Sequence, residues 1–296
     1  MERHIGEFEN YLKAERKMAG NSLLAYRRDA EEFCRFAEER NLNELSQVGS
    51  TDVVAYLLHL KNEGRSGATL NRKLASIRTY FNYLMLRSVC RENPALNIKA
   101  PKIERKEIEY LTVEEVELLL SQPDDSVRGL RDRALLELMY AAGLRVSEVV
   151  GAELGDLNLR IGFITCRGEF GKARIVPLGR PSRAALEAYI YDARPKIPGM
   201  EKSETQALFV NYNGGRLTRQ GIWKLLKAYA QQAGIRQKLT PQTLRNSFAV
   251  HMIQNGADLK SLQELLGHED LAATQIYLSV AKNRIKDVYD RTHPRA

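Results

Sequence analysis

Cysteine is scarce in this 296-residue chain: Cys34, Cys90 and Cys166 are the only three, and they stand far apart. Without CxxC spacing or an even count, neither a disulfide framework nor a zinc knuckle is expected, and a reducing cytoplasm is the simplest setting. Long apolar runs are missing too. No window approaches the roughly 20 residues that cross a bilayer, and the opening MERHIGEFENYLKAER has no apolar core of signal-peptide type. Export and membrane insertion are therefore not expected. Repeats and low-complexity tracts are absent, which excludes a solenoid. No acidic cluster with metal-ligand spacing stands out, which argues against a metal-dependent nuclease. Acidic residues are in deficit, 37 against 45 Lys plus Arg for a formal charge of +8. That excess favours a polyanionic partner but is weak on its own.

What is present is helical periodicity. From Ile5 to about Arg87, apolar residues recur at three- and four-residue steps, broken at Gly20-Asn21, Gly49-Ser50 and Gly64 to Gly67, which predicts about four helices. In the last of them Leu70, Leu74, Ile77, Phe81 and Leu84 form one stripe, with Arg72 opposite and Asn71 and Arg78 flanking. That face is expected to be free. The stretch from Asn93 to Glu109 holds Pro94, Pro101 and a charged run without periodicity, and reads as a linker. A length of 296 residues suits two domains, here 1–92 and 111–296 joined by 93–110. Thr112 and Glu115 form a capping-box signature at the start of the second, ahead of a helix ending at Leu120. Gly162 to Leu178 is the one β element, a hairpin. The fold class is mainly α with a small β-sheet.

Several polar residues punctuate the second domain, and each has an ordinary structural explanation when taken alone. Arg145 follows an apolar run closed by Gly143, ahead of a helix that Ser147 would cap, and an ion pair with Glu148 would account for it. Arg245 lies about one turn into a helix opened by Thr240-Pro241, on the face of Gln242, where it is either a solvated charge or a phosphate ligand. His268 follows Gly267 at the end of a helix over Asp258 to Leu266, a usual place for a cap. Tyr277 sits nine residues further on among Leu271, Ile276 and Leu278, where core packing is the plain reading.

Their order and spacing point elsewhere. AAGLRVSE, TPQTLRNSFAVHMIQNGADLKSLQELLGHEDLAATQIYLSV and the closing DVYDRTHPRA resemble the catalytic boxes and tail of bacterial Xer-type tyrosine recombinases. SLLAYRRDAEEF, SGATLNRKLASIRTYFNYL and NPALNIKAPK resemble that family's core-binding domain and linker, so the likeness covers essentially the whole chain. It implies a helical N-terminal core-binding domain and a mixed α/β catalytic domain with a C-terminal subunit-exchange tail. It also implies strand cleavage by a tyrosine hydroxyl through a 3′-phosphotyrosyl link, without metal, ATP or other cofactor. On this likeness Tyr277 is the nucleophile, Arg145, Arg245 and His268 hold the phosphate, and Glu148 orients Arg145. The implied partners are a double-stranded DNA recombination site and related subunits, in a homo- or hetero-tetramer on paired sites. The implied task is chromosome or plasmid dimer resolution, or integration of a mobile element.

Two positions depart from the pattern. Gln242 stands where the family has a histidine, and an amide cannot take a proton. Glu169 stands where a hairpin lysine should act as general acid, so Lys172 is expected to substitute, with Arg167 as the alternative cation. Asn246 and Val250 replace a common histidine and threonine and read as packing or supporting differences. These departures leave open a DNA-binding accessory paralogue with impaired catalysis. For backbone clamping on either side of the duplex, the first domain offers Arg27, Arg28, Arg65, Arg72, Lys73 and Arg78, and the second Arg216, Arg219 and Lys224. The tail from Asn283 to Ala296, with Ile285 and Val288 as apolar anchors, would dock on a neighbouring subunit or fold back on its own domain.

Overall fold

The glycine breaks in the N-terminal third do separate four helices: α1 (Glu2–Ala14), α2 (Gly20–Glu39), α3 (Ser50–Asn62) and α4 (Gly67–Leu86). This computed structural model describes residues 2–42, 44–101, 107–168 and 172–278. Local chemistry sets the helix starts. The Gly49 amide donates to the Asp52 carboxylate (3.0 Å) ahead of α3, and the Ser66 hydroxyl accepts from the Thr69 amide (3.3 Å) ahead of α4. The expected α4 stripe is buried and packs with Phe8, Leu12, Phe33 and Tyr56 in one core.

The flank of α4 expected to be free is not. Asp29 of α2, itself buried, accepts from Arg72, from Lys73 Nζ (3.2 Å) and from Ser76 Oγ (2.7 Å). Lys73 Nζ also reaches Glu32 (2.7 Å). A carboxylate in the interior is tolerable only when paired and hydrogen-bonded, and these side chains supply the pairing. The chain after α4 is likewise tied down. Arg78 donates to the carbonyls of Ala95 (2.9 Å) and Ile98, Asn93 Nδ2 donates to the Arg78 carbonyl (2.9 Å), and Ala95 is fully buried. The chain divides into the units Met1–Lys106 and Glu107–Ala296, so the expected linker span begins inside the first unit.

The second unit opens with the predicted capping box: the Thr112 amide donates to Glu115 (2.9 Å), and the Glu115 amide to the Thr112 hydroxyl (3.2 Å). Then come α5 (Val113–Leu120), α6 (Val127–Ala142), α7 (Val146–Gly151), β1 (Leu157–Asn158), β2 (Phe163–Arg167), β3 (Ala173–Pro177), α8 (Arg180–Glu187), α9 (Arg219–Gln232), α10 (Pro241–Gln254), α11 (Leu259–Leu266) and α12 (Ala272–Gln275). The strands form an antiparallel meander in which Ile164 faces Val176 and Cys166 faces Arg174. The hairpin prediction holds, with a short first strand added. Among the described residues, no helix is long and apolar enough to cross a membrane.

α10 runs through the middle of this unit. Leu244, Phe248, Ala249 and Val250 are all buried, and so are the polar Thr243, Arg245, Ser247 and His251, so the helix is enclosed on most sides. Gly143 ends α6 with φ +55°, and a Cβ there would lie 2.4 Å from Cδ1 of Phe248. No other residue fits that conformation and that space. Gly143→Ala is expected to lower stability by about 1–3 kcal/mol, read as a melting point reduced by several degrees. A melting point within about one degree of the parent would contradict this contact.

Candidate active site

An α-helix leaves its last carbonyls without intrahelical partners. At the end of α11 three successive carbonyls are each taken by a different arginine. Arg174 Nε donates to Leu265 (2.6 Å), Arg245 Nη2 to Leu266 (2.6 Å) and Arg145 Nη2 to Gly267 (2.9 Å). These arginines come from β3, from α10 and from the N-terminal cap of α7. The negative end of the helix dipole favours guanidinium groups there. Gly267 closes α11 at φ +63°, where a Cβ would lie 2.9 Å from Arg174 Nη1, so the turn and the arginine both require glycine.

Glu148 is the counter-charge. Its carboxylate accepts from the Arg145 amide (2.7 Å), Arg145 Nη1 (3.1 Å) and both Arg174 terminal nitrogens (2.5 and 3.0 Å), and Arg245 Nη1 stands 3.9 Å away. Burial would raise its pKa, but the Arg174 hydrogen bonds and the charges of Arg174 and Arg145 outweigh that, and the carboxyl titrates below its ordinary value. The cap expected of Ser147 is supplied by Glu148, because its carboxylate reaches the amide of Arg145, the residue that caps the helix.

Arg245 does not face solvent at the start of α10. It is 2% exposed, and beyond Leu266 it donates to the Gly143 carbonyl. Burial, then the charge of Arg145, brings its pKa down to about 10, which leaves it charged at neutral pH. Its Nη2 also lies 3.1 Å from His268 Nε2. A guanidinium only donates, so Nε2 must be the acceptor, and the ring proton belongs on Nδ1, 2.8 Å from the Thr274 hydroxyl.

Burial, followed by the charges of Arg245, Arg145 and Arg174, lowers the His268 pKa to about 4. The sign follows directly. The folded state favours the neutral ring, so this contribution to stability is complete above the ordinary value of 6.5 and is lost as pH falls toward about 4. His268→Gln, which cannot titrate, is therefore expected to lose less melting temperature than the parent between about pH 7 and about pH 4.5. Equal losses in the two proteins would contradict the assignment.

Tyr277, two residues past the end of α12, is 1% exposed in an apolar cluster with Phe248, Val250, Leu262 and Leu266. Its hydroxyl donates to Asn246 Oδ1 (3.0 Å). Burial raises the phenol's pKa, while the charges of Arg245 and Arg145 pull it down. The net shift is upward, so the tyrosine is a packed residue whose ionisation burial opposes and the arginines only partly restore.

Of the residues singled out in the sequence, Arg145, Arg245, His268 and Tyr277 are joined in one place by shared partners and charges. Gln242 is exposed and donates to Asn246 Oδ1 (2.9 Å). Lys172 pairs with Glu269 (2.8 Å), the residue after His268, at the exposed rim of the site. Arg167 is bound to Asp156 (2.8 Å), and Glu169 lies outside the described residues, as do Asn283 to Ala296 with Ile285 and Val288.

Among the cations expected on DNA, Lys73 is buried with Asp29 and Glu32, and Arg72 also binds Asp29. Arg78 holds the Ala95 and Ile98 carbonyls. Arg27 pairs with Glu9 and Glu31, and Arg65 with Glu63. Arg216 holds the Val150 and Ala152 carbonyls and reaches Glu153. Arg28, Arg219 and Lys224 are exposed. Sequence reasoning missed Arg174. Its only signal was a charge at the edge of a hairpin, and the partner that gives it a role, Glu148, is 26 residues away.

The Phage integrase family model matches residues 109–284, and the Phage integrase, N-terminal SAM-like domain matches residues 5–88. The chain belongs to the phage integrase family of tyrosine recombinases. It is 41% identical over 297 residues to the tyrosine recombinase XerD of Oceanobacillus iheyensis, covering 100% of both chains. It is 42% identical over 294 residues to that of Listeria innocua, covering 99% of both. Its fold is shared with the XerH recombinase bound to a palindromic difH substrate (TM-score 0.71, 24% identity, 90% of this chain and 76% of that one). It is shared also with a lambda integrase dimer bound to a core site (TM-score 0.71, 17% identity, 94% of each chain).

Proposed function

We propose that this chain is a site-specific DNA recombinase in which Tyr277 cleaves and rejoins strands. The observation that carries the reading is that Arg145 and Arg245 meet at Glu148, with His268 on Arg245 and the phenol of Tyr277 within the field of both arginines. The Tyr277 oxygen attacks the phosphorus as its proton leaves, the bond to O5′ breaks, and O5′ takes up a proton. A 3′-phosphotyrosyl link conserves the bond energy, so the 5′-hydroxyl of another strand reverses the step through a Holliday junction. Charge building on the nonbridging oxygens is met by Arg145 and Arg245. Preorganised donors of this kind are the main source of rate in phosphoryl transfer. Arg145, whose side chain is 40% exposed, is the more accessible of the two. His268 joins them when a phosphate replaces Arg245 as its partner, since the anion favours a protonated ring.

Lys172 is the proposed proton source for O5′. Its pair with Glu269 is exposed, so releasing it costs little. The substrate is a double-stranded recombination site, bound by related subunits as a homo- or hetero-tetramer on paired sites. Arg28, Arg219 and Lys224 are the cations best placed to meet its backbone. The biological setting is Xer-like, the resolution of chromosome or plasmid dimers or the integration of a mobile element.

The test selects bound sequences from a random duplex library with the Tyr277→Phe protein, then offers wild type a nicked duplex of the selected sequence. A covalent adduct in wild type and none in Tyr277→Phe is the expected result. Binding without an adduct in either would reject the proposal.

A further inference from the structure

Asn246, set apart in the sequence as a supporting difference, is the residue that the Tyr277 hydroxyl touches. Three hydrogen bonds fix its amide. The Glu109 carbonyl, which only accepts, lies 2.9 Å from Nδ2, and this places the NH2 group toward Glu109 and turns Oδ1 inward. Oδ1 then accepts from Tyr277 (3.0 Å) and from Gln242 Nε2 (2.9 Å). Gln242 and Asn246 are four residues apart on one face of α10, so the pair is set by the helix itself.

An amide oxygen takes a hydrogen bond but not a proton. The phenol is therefore held as a donor, and its own lone pairs stay available. Packing holds the ring of Tyr277, but its hydroxyl lies at the far end of the side chain, where small torsional changes displace it most, and attack on phosphorus requires it in line. We propose that Asn246 is a positioning residue for the nucleophile, holding the Tyr277 hydroxyl through Oδ1, with Gln242 and the Glu109 carbonyl holding Asn246 in turn. Gln242 thereby acts through Asn246 and not as a proton acceptor. The proposal rests on Tyr277 being the nucleophile.

Imidazole supplies one acceptor and one donor, so Asn246→His is able to reproduce the bonds to Tyr277 and Glu109, though not the one from Gln242, whereas Asn246→Leu has the volume and none of the three. On the nicked duplex at saturating DNA, Asn246→Leu is expected to slow adduct formation by about ten- to a hundred-fold. Half-site affinity should stay within about twofold, and Asn246→His should recover most of the rate. In parallel, 3-fluorotyrosine placed at position 277 alone reports on the phenol without DNA. Its fluorine resonance should move in Asn246→Leu and return toward the parent position in Asn246→His.

An unmoved resonance, or equal saturated rates in wild type and Asn246→Leu, would overturn the positioning role. A loss confined to DNA affinity would overturn it too. The fluorine measurement judges the Asn246 bond alone, while failure of wild type to form any adduct overturns the recombinase reading and the positioning role with it.

Discussion

Glu148→Ala is expected to destabilise the second unit by about 3–5 kcal/mol, the range for removing one partner of a buried ionic cluster. Arg174 and Arg245 have side chains 13% and 2% exposed, and both would lose their carboxylate. The Arg145 amide at the head of α7 would lose its cap as well. Because the carboxyl titrates below its ordinary value in the fold, its contribution is present above the unfolded pKa and is lost as pH falls through the folded one. Glu148→Gln keeps an acceptor for the amide but not the charge, and should fall between the parent and Glu148→Ala in urea denaturation at neutral pH. At low pH, where the parent carboxyl is protonated, the gap between parent and Glu148→Gln should narrow. A Glu148→Ala protein as stable as the parent would show that the arginines find other partners.

The second large effect is expected at Arg245. Its guanidinium spans the Gly143 and Leu266 carbonyls and reaches His268. Lysine keeps a charge and three donors, but on a single nitrogen that cannot take the places of both Nη1 and Nη2 at the two carbonyls. Arg245→Lys should therefore lower the rate of adduct formation by about a hundred- to a thousand-fold, the range for one lost donor to a developing oxyanion. Single-turnover cleavage at saturating DNA measures this directly. A rate within about tenfold of wild type would mean that Arg245 serves the fold and not the phosphate.

Local signals in the sequence carried most of the architecture. Helix ends at Gly143, Gly267 and Thr240-Pro241 fall where their chemistry requires, since caps and left-handed turns depend on a few neighbouring residues. What was not legible is pairing across long separations. Nothing near Lys73 announces Asp29, 44 residues away, so a buried ion pair reads as a surface charge. The same blindness hid Arg174 and gave Asn246 a passive part, because its partners Glu109 and Tyr277 lie 137 and 31 residues off. Tyr277 shows both sides: its immediate surroundings indicate packing, and it is packed. Only its spacing from His268 and Arg245 indicated chemistry.

The central claim is that the Tyr277 oxygen becomes bonded to DNA. Trypsin cuts after Lys260 and Lys282, so the nucleophile falls in the peptide Ser261 to Lys282. After the nicked duplex has been trapped and the DNA digested with nuclease, mass spectrometry of that peptide is the direct measurement. The expected peptide is heavier by a phosphorylated nucleotide, with fragmentation placing the added mass on Tyr277 and the released strand carrying a 5′-hydroxyl. An adduct on any other residue, or strand cleavage that leaves this peptide unmodified, would contradict it.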